Sequence, residues 1–285
     1  MFMRKFGAYV RLMRPINCLM MGFAVIVGAV LVRGYGQAVL GWNLVYGFVT
    51  GFTLTAASMA INDYYDRQID AVNERGRPIP SGLIMPEAAL VFALSLAVVG
   101  FAAAYLSNVF CLFTSIVAWA VFVLYTTVGK QSGLPGNFLV SLCVTIPFIY
   151  GSVAATQRVE LNVLLFASMA FLSNTGREIT KGIVDVPGDR ANRVKTLAVR
   201  SSEKIAAVAA VGFYAAAVVL SPLPWFLNLV SLWFVPPVVV TDVGLVVSSI
   251  MLLRDCSRDN ARKVKKIVLL WFMFGLLAFV LGTLR

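Results

Sequence analysis

The chain has 285 residues, of which 60% are hydrophobic and 13% are charged, and its mean hydropathy is +0.86. Soluble domains are typically about 45–50% apolar and about 25% charged, so this composition excludes an ordinary soluble protein and predicts an integral membrane protein. The chain contains no histidine, which excludes imidazole as a catalytic base or a metal ligand.

Basic residues at 4, 5, 11 and 14 give residues 1–14 the character of an amphipathic segment at the membrane surface. Nine apolar segments follow, each near the ~20 residues that span a bilayer. We place them at 15–32, 38–61, 86–106, 109–128, 134–155, 161–184, 205–220, 226–253 and 267–284. The eighth contains Pro236, Pro237 and Asp242, and we expect it to be kinked. Eight or ten spans remain alternatives, and we expect residues 1–285 to form a single domain.

The first apolar segment and the cysteines bear on processing and on redox state. No small-residue cleavage site follows the first apolar segment, so we expect no cleavable signal peptide. The cysteines are widely separated and three of them lie in apolar segments, so we expect them to pack as small hydrophobic side chains. They are Cys18, Cys111, Cys143 and Cys256.

Positive charge divides unequally between the two sets of loops. All but three of the 24 Lys and Arg residues lie on the side of the N-terminal segment, and the exceptions are Arg33, Arg158 and Arg285. The positive-inside rule places the basic side in the cytoplasm. This topology accounts for much of the net charge of +11, so no nucleic-acid partner is needed.

Two charged residues, Arg14 and Asp242, are expected within the bilayer or at its edge. An ionisable residue there is a functional hypothesis by default. Arg14 could equally extend its guanidinium to the interface. Asp242 has no obvious partner in the sequence, and we assign it no role.

A row of polar side chains follows the second apolar segment. Asn62, Asp66 and Asp70 are spaced by four and would lie along one face of a helix. Asp63 would lie about 100° away from that row, which suggests a supporting or capping role. Carboxylates in such a row repel one another unless a cation lies between them. The row is therefore a candidate metal site.

A second pair of acids, Asp185 and Asp189, follows the sixth apolar segment. Pro187 and Gly188 make an unbroken helix through this pair unlikely, and we expect a turn there. Both groups of acids are expected at the same membrane face, where four carboxylates would repel strongly without cations. Ligands that are oxygen only suit Mg²⁺, which commonly bridges to substrate phosphates.

Cations lie close to both groups of acids in the sequence. An anion held by metal on one side and by Arg or Lys on the other is the arrangement that suits a diphosphate. About half of these cations are equally explained as ordinary positive-inside loop charges. The candidates are Arg67, Arg75, Arg77, Lys130, Lys181, Arg190, Arg193 and Lys195.

The same residues resemble the signatures of a known family. The first row, followed by Arg-Pro-Ile-Pro-Ser-Gly at 77–82, resembles the first signature of the UbiA superfamily of intramembrane prenyltransferases. The segment 177–189, with Arg177, Glu178, Lys181 and the two aspartates, resembles its second signature. Tyr125 with Lys130 is similar to the family's tyrosine–lysine element, and Arg14 before Pro15 matches an arginine common at the first span. Gly182 departs from the pattern, because many relatives carry an acid there.

The resemblance implies a bundle of nine transmembrane helices around a central cavity that opens to the cytoplasmic face. It implies Mg²⁺-dependent transfer of a prenyl group from a prenyl diphosphate, with one ion held by Asn62, Asp66 and Asp70 and a second by Asp185 and Asp189. The implied catalytic residues are the four aspartates and Lys130. Substrate binding would fall to Asn62, Arg14, Arg67, Arg77, Tyr125, Arg177, Lys181, Arg193 and Lys195. Aromatic side chains that could face the prenyl chain are Tyr64, Tyr65, Tyr125 and Phe148.

The acceptor separates the subfamilies. The segments at 77–82 and 177–190 look most similar to archaeal digeranylgeranylglyceryl phosphate synthases, which add a second geranylgeranyl chain to geranylgeranylglyceryl phosphate. A transferase acting on 4-hydroxybenzoate is the main alternative. A transporter is a remote one, because nine spans and Asp242 would suit it, whereas the acids lie at one membrane face rather than at the midplane. The sequence does not indicate an oligomeric state.

Overall fold

The structure is a computed structural model that describes residues 2–33, 41–192 and 194–284, with the side chains at 2, 3, 33, 73, 130 and 131 excepted. Within these residues the chain is helical apart from turns and short connections, and no strand occurs. The helices are α1 (Phe2–Met13), α2 (Pro15–Arg33), α3 (Trp42–Asn73), α4 (Pro86–Ser107), α5 (Val109–Thr127), α6 (Leu134–Thr156), α7 (Leu161–Ala191), α8 (Leu197–Arg200), α9 (Glu203–Leu220), α10 (Leu223–Phe226), α11 (Val235–Arg254) and α12 (Arg258–Leu281). Two 3₁₀ turns lie at Gly129–Ser132 and Leu232–Phe234.

The N-terminal segment, which the sequence predicts to be amphipathic, forms α1. Ala8 and Leu12 are completely buried, whereas Phe6 is exposed on the opposite face. The buried face packs against α3. Arg14 follows with φ +53°, an uncommon conformation for a residue with a side chain, and Pro15 then starts α2. The sharp junction directs Arg14 back toward α3, where its side chain contacts Asp63.

The long helices form a closed ring in chain order. α2, α3, α4, α5, α6, α7, α9, α11 and α12 each pack against the next, and α12 packs against α2. α2 also packs extensively along α6, inside this ring. The structure therefore confirms the predicted all-α membrane bundle.

Eight helices in the described part of the chain are long and apolar enough to cross a membrane. α7 is long enough as well, at 31 residues, but it is not among the eight. Its second half carries Arg177, Glu178, Lys181 and Asp185, which lower its hydropathy. The count of nine spans stays a prediction that depends on α7.

The expected turn between Asp185 and Asp189 is wrong. α7 continues from Leu161 to Ala191 and contains Pro187. A proline inside a helix removes one N–H donor and crowds the preceding turn, leaving carbonyl groups there to be satisfied otherwise. Nε of Arg258 on α12 donates a hydrogen bond to the Val184 carbonyl oxygen at 2.9 Å. This contact joins α12 to the turn of α7 that precedes Pro187.

The expected kink in the eighth span is also wrong. The chain passes instead through α10 and a 3₁₀ turn, and α11 begins at Val235, so Pro236 and Pro237 lie in its first turn. Proline is tolerated in a first turn because the N–H groups there have no partner within the helix. The second span was predicted from residue 38, but α3 begins at Trp42, and residues 34–40 lie outside the described part.

Backbones of α2 and α6 touch at two glycines. A Cβ atom on Gly28 would lie 2.1 Å from the Phe148 carbonyl oxygen, and one on Gly151 would lie 2.0 Å from the Val25 carbonyl oxygen. Real Cβ atoms do not approach a backbone oxygen this closely, so both positions require glycine. These glycines allow the two helices to meet in the half of the bundle opposite the acidic residues.

Candidate active site

A cavity of about 360 Å³ lies inside the ring of helices. Its walls are largely apolar and come from α2, α3, α5, α6, α7, α9, α11 and α12. Charged and hydrogen-bonding side chains gather at one end, where the lining residues are Arg14, Asn62, Arg77, Tyr125, Arg177, Glu178, Lys181 and Lys265. We call this end the polar end of the cavity. The space is suited to a molecule with a charged head and an apolar chain.

Three side chains of the first predicted row lie on one unbroken helix, as their spacing predicts. Asn62, Asp66 and Asp70 all belong to α3, which runs through to Asn73. They are 9%, 6% and 5% exposed. Asn62 lines the cavity itself, and the two acids follow it along the same face toward the end of the helix.

Arginine side chains compensate the acids at this end of α3. Asp63 is 2% exposed and accepts hydrogen bonds from Nη2 of Arg14 and from Nη1 of Arg77, the latter at 3.2 Å. The same Nη1 of Arg77 donates to Asp70. Asp63 thus anchors two cations that also line the cavity, in keeping with its position away from the row.

The charge on Arg77 is strongly favoured. Burial by itself lowers the pKa of its guanidinium, but the nearby carboxylates of Asp63, Asp70 and Asp185 raise it and prevail, so its pKa lies above the ordinary value. Asp185 belongs to α7, and α3 packs against α7. Arg77 therefore lies within electrostatic range of acids from both helices.

The second group of acids lies on the last turns of α7. Asp189 is buried and Asp185 is half-buried. Both residues take part in further interactions, as do Asn62 and Asp66. The two predicted groups of acids are therefore brought to the same end of the bundle, by helices that pack against each other.

The donor atoms fit a hard divalent cation. The row on α3 and the pair on α7 offer carboxylate and amide oxygens, the ligand type that Mg²⁺ prefers. Within the described residues, no three acidic or cysteine side chains already converge on one point as a preformed metal cluster. Instead the acids are divided between two helices, and Arg77 neutralises Asp70.

Sequence reasoning missed two charged residues of the polar end. Glu178 is 9% exposed, and its carboxylate lies 3.3 Å from Nζ of Lys181 and 3.3 Å from Nη1 of Arg177. Lys265 lies on α12 and lines the cavity. It belongs to a group of basic residues near the start of that helix, which the positive-inside rule was sufficient to explain. The sequence of such a basic group does not indicate which residue faces the cavity. Glu178, in contrast, lies within the segment that resembles the second family signature and could have been assigned to the site.

Other predicted site residues lie elsewhere or outside the described residues. Arg67 donates a hydrogen bond to the Tyr64 carbonyl oxygen at 2.7 Å, and its guanidinium carbon lies 4.7 Å from the centre of the Tyr64 ring. It is not part of the cavity lining. It follows Asp66 directly, so it points about 100° away from the row. Lys195 is exposed beyond α7. Arg193 and the side chain of Lys130 lie outside the described part of the chain.

Two of the four predicted aromatic side chains line the cavity, and so does Asp242. Tyr125 and Phe148 line the cavity, whereas Tyr64 packs against a hydrophobic cluster to which α1 and α4 contribute, and Tyr65 is exposed. Asp242 also faces the cavity, far from the polar end, and accepts a hydrogen bond from Oγ of Ser221 at 2.6 Å. All four cysteines are free, and Cys18 and Cys111 are fully buried.

A helical membrane bundle that joins paired acids and arginines to an apolar interior cavity defines an intramembrane enzyme for substrates with a charged head and an apolar chain. Residues 21–282 match the UbiA prenyltransferase family, and the chain belongs to that family. It is therefore a multi-pass membrane protein and a prenyltransferase.

Similar proteins come from archaea. The chain is 36% identical to the digeranylgeranylglyceryl phosphate synthase of Archaeoglobus fulgidus, over 95% of this chain and 94% of that protein. It is 37% identical to the digeranylgeranylglyceryl phosphate synthase of Methanopyrus kandleri, over 97% and 99% of the two chains.

Solved structures share the fold. One, from a study of the biosynthesis of digeranylgeranylglyceryl phosphate synthase in membranes, superposes with a TM-score of 0.73 at 27% identity, over 98% of each chain. A UbiA homolog from Archaeoglobus fulgidus bound to GPP and Mg²⁺ superposes with a TM-score of 0.66 at 17% identity, over 96% of this chain and 99% of that one. At this identity the second comparison concerns the fold alone.

Proposed function

We propose that this protein transfers a geranylgeranyl group from geranylgeranyl diphosphate to geranylgeranylglyceryl phosphate, giving digeranylgeranylglyceryl phosphate. The observation that carries the proposal is the cavity, which joins a cationic polar end directly to an apolar interior. A prenyl diphosphate has the same two parts. The curated synthases that resemble the chain along nearly its whole length support the lipid phosphate as acceptor.

The polar end supplies the electrostatics of the reaction. Arg14, Arg77, Arg177 and Lys181 line the cavity where the diphosphate head would lie. Cations fixed in a site that excludes water stabilise charge that develops on a leaving group, and this is usually the largest catalytic contribution. The donor C–O bond then breaks, leaving an allylic cation and free diphosphate.

Magnesium fits the oxygen ligands of α3 and α7. We assign one ion to Asn62, Asp66 and Asp70 and a second to Asp185 and Asp189, because these side chains offer the oxygen ligands that Mg²⁺ prefers. The Archaeoglobus homolog solved with GPP and Mg²⁺ supports the choice of metal. When bound, Mg²⁺ supplies further neutralisation of the diphosphate charge. Lys130 and Arg193 are assigned to the same polar end on the sequence pattern alone.

The apolar walls perform the other part of the chemistry. They bind the prenyl chain and keep water away from the allylic cation, which water would otherwise capture as an alcohol. The acceptor hydroxyl oxygen forms the new C–O bond with the allylic cation and gives up its proton to the released diphosphate. We assign the polar end to the cytoplasmic face, because nearly all Lys and Arg residues lie on that side.

Purified protein, incubated in detergent with Mg²⁺ and labelled geranylgeranyl diphosphate, tests the proposal. We offer geranylgeranylglyceryl phosphate, 4-hydroxybenzoate or dihydroxynaphthoate as the acceptor. The expected result is an ether lipid phosphate, with one diphosphate released per product. A prenylated aromatic product, or no diphosphate release with any acceptor, would contradict the assignment.

A further inference from the structure

The residues of α7 that line the cavity change from charged to apolar over about three turns of the helix. In order from the polar end, they are Lys181, Glu178, Arg177, Asn174, Ser173, Ala170 and Met169. Asn174 lies about 4.5 Å along the helix axis from Arg177 and about 7.5 Å from Met169, at 1.5 Å rise per residue. Two uncharged polar residues therefore mark the level at which a charged head would join its apolar chain.

The side chain of Asn174 is held in one orientation by α6. Asn174 is 4% exposed, and its Nδ2 donates a hydrogen bond to Oγ of Ser141 at 3.2 Å. Ser141 is completely buried, donates its single proton to the Asn137 carbonyl oxygen at 2.9 Å and accepts a second hydrogen bond from Thr175 at 2.8 Å. Ser141 is therefore an acceptor toward Asn174, which places the amide nitrogen against α6 and leaves the amide oxygen, Oδ1, on the other side.

Oδ1 of Asn174 is an acceptor that the fold does not use. It has no hydrogen-bond partner in the described part of the chain, and the buried side-chain atoms that lack one there belong to other residues. Oδ1 therefore meets open space, and the open space that Asn174 lines is the cavity. Because an unpaired amide oxygen in a largely apolar space is costly, a donor group of a bound molecule would be favoured there.

Hydroxyl groups elsewhere in the cavity lining are engaged with their own helices. Ser173 donates to the Met169 carbonyl oxygen at 2.8 Å, and Ser58 of α3 donates to the Thr55 carbonyl oxygen at 2.8 Å. A hydroxyl group can also rotate, whereas an amide held at its nitrogen presents its oxygen in one direction. Asn174 is therefore the better placed acceptor for one directional hydrogen bond.

We infer that Oδ1 of Asn174 binds the hydroxyl group of the acceptor lipid and places its oxygen opposite the reacting carbon of the donor. The inference rests on the proposed function. The donor bond that breaks joins the charged head to the apolar chain, so the reacting carbon lies where the lining changes, at the level of Asn174. The acceptor hydroxyl likewise lies between a phosphate and an apolar chain. With its proton on Oδ1, a lone pair of the hydroxyl oxygen is free to face the carbon.

This role is separate from the release of diphosphate. The two electrons of the broken C–O bond leave with the diphosphate, and a lone pair of the hydroxyl oxygen forms the new bond. Asn174 does not remove the proton, because an amide oxygen is a very weak base. The proton becomes acidic once the new bond has formed, and it passes to the released diphosphate. Asn174 thus acts on the acceptor alone, whereas the cations of the polar end act on the donor.

Asn174→Leu tests the inference, because leucine has a similar shape but no hydrogen-bonding atom. Ser141→Ala is the second variant, since it frees the amide at a position outside the cavity lining. The matched control is Asn162→Leu, which makes the same change on α7 at a position that is also outside the lining. Each purified protein is assayed with Mg²⁺, geranylgeranyl diphosphate and geranylgeranylglyceryl phosphate. Ether product, geranylgeraniol and released diphosphate are all quantified.

Asn174→Leu should lower kcat/KM for the acceptor about tenfold, the effect of one lost hydrogen bond, and change the KM for the donor by less than about twofold. More geranylgeraniol should form per diphosphate released, because water captures a cation that the acceptor fails to meet. Ser141→Ala should act in the same direction by about threefold, and Asn162→Leu should behave like the wild type. Equal losses for donor and acceptor, or an unchanged kcat/KM for the acceptor, would overturn the inference.

An acceptor analogue with hydrogen in place of the hydroxyl group gives a readout that does not depend on turnover. Its Kd should be about tenfold higher than that of the acceptor in the wild type, and the two values should be equal in Asn174→Leu. A ratio that persists in Asn174→Leu would overturn the inference. If that variant does not fold, the same ratio is measured in Ser141→Ala, where it should decrease. If the wild type forms no ether product, the proposed function itself has failed.

Discussion

Arg77 donates a hydrogen bond to Asp70, seven residues earlier in the chain, and so folds the loop after α3 back onto the row of acids. The same nitrogen reaches Asp63 at 3.2 Å. One guanidinium therefore joins the end of a membrane helix to the loop that follows it, and it does so at the edge of the cavity.

Replacing Arg77 by alanine should destabilise the protein and reduce activity. The change leaves Asp70 without this partner and removes one of the two cations on Asp63. A fully buried pair broken this way costs about 3–5 kcal/mol. The Arg77 side chain is 24% exposed, so we expect about 2 kcal/mol, measured by thermal unfolding in detergent.

The neighbouring Arg75 provides the control for this variant. Its side chain is exposed and donates only to the Ala71 carbonyl oxygen among the contacts described. Arg75→Ala should therefore change stability by less than about 0.5 kcal/mol. Equal effects of the two variants would show that the loop does not depend on Arg77.

Asp66→Ala and Asp185→Ala should each abolish diphosphate release, by at least about 100-fold, while the protein still folds. The reason is loss of charge stabilisation at the leaving group, where one such interaction is worth about 10²–10³ in rate. The increase in melting temperature that added Mg²⁺ produces should also be smaller in both variants. Asp259→Asn is the control, because that side chain is 87% exposed and far along the chain from the acids. Near-wild-type turnover in either alanine variant would refute the metal assignment.

Glu178→Ala should destabilise the protein more than Lys181→Met. Glu178 neutralises both Lys181 and Arg177, so its removal leaves two cations at the polar end without this carboxylate. In Lys181→Met, Glu178 keeps its contact with Arg177. Breaking a buried pair costs about 3–5 kcal/mol, and we expect Glu178→Ala to reach that range.

Thermal unfolding of these two variants and of the double variant measures the difference. Since the double variant removes both charges of one pair, it should be more stable than Glu178→Ala alone. If the losses of stability in the two single variants simply add up in the double variant, Glu178, Lys181 and Arg177 act independently.

Gly28→Ala and Gly151→Ala should each cost about 3 kcal/mol or more. A single methyl group at either position would collide with a backbone carbonyl oxygen of the partner helix, so the helices would have to separate. Gly7→Ala on α1 is the control, because no atom lies within 4 Å of its Cβ position. That change should be neutral or stabilising by up to about 1 kcal/mol, since alanine is the better helix former. Similar melting temperatures for all three variants would contradict the close α2–α6 contact.

Local patterns predicted much of the fold and part of the site. Hydropathy located the helices because a bilayer forces backbone groups to pair within each apolar segment. The spacing of Asn62, Asp66 and Asp70 predicted one helical face, and α3 has that form. These features follow from residues close together in the chain.

Predictions that depended on a partner element were less successful. Pro187 suggested a turn, yet α7 continues through it, and Arg258, 74 residues after Val184, packs against this part of the helix through a hydrogen bond to the Val184 carbonyl oxygen. Arg67 is an exception, because its position away from the row follows from helical periodicity within α3 and could have been predicted. Lys265 could not be separated from its basic neighbours until α12 was placed against α7.

The sequence by itself determined a membrane-embedded helical protein with two groups of acids at one face, because composition and helical periodicity are local properties. Only the tertiary structure decided which cations compensate those acids and how closely α2 and α6 approach each other. Arg14 and Arg77 converge on Asp63 across 49 and 14 residues of sequence, and Gly28 meets α6 far along the chain. Such contacts are fixed by helix packing, which no single segment specifies.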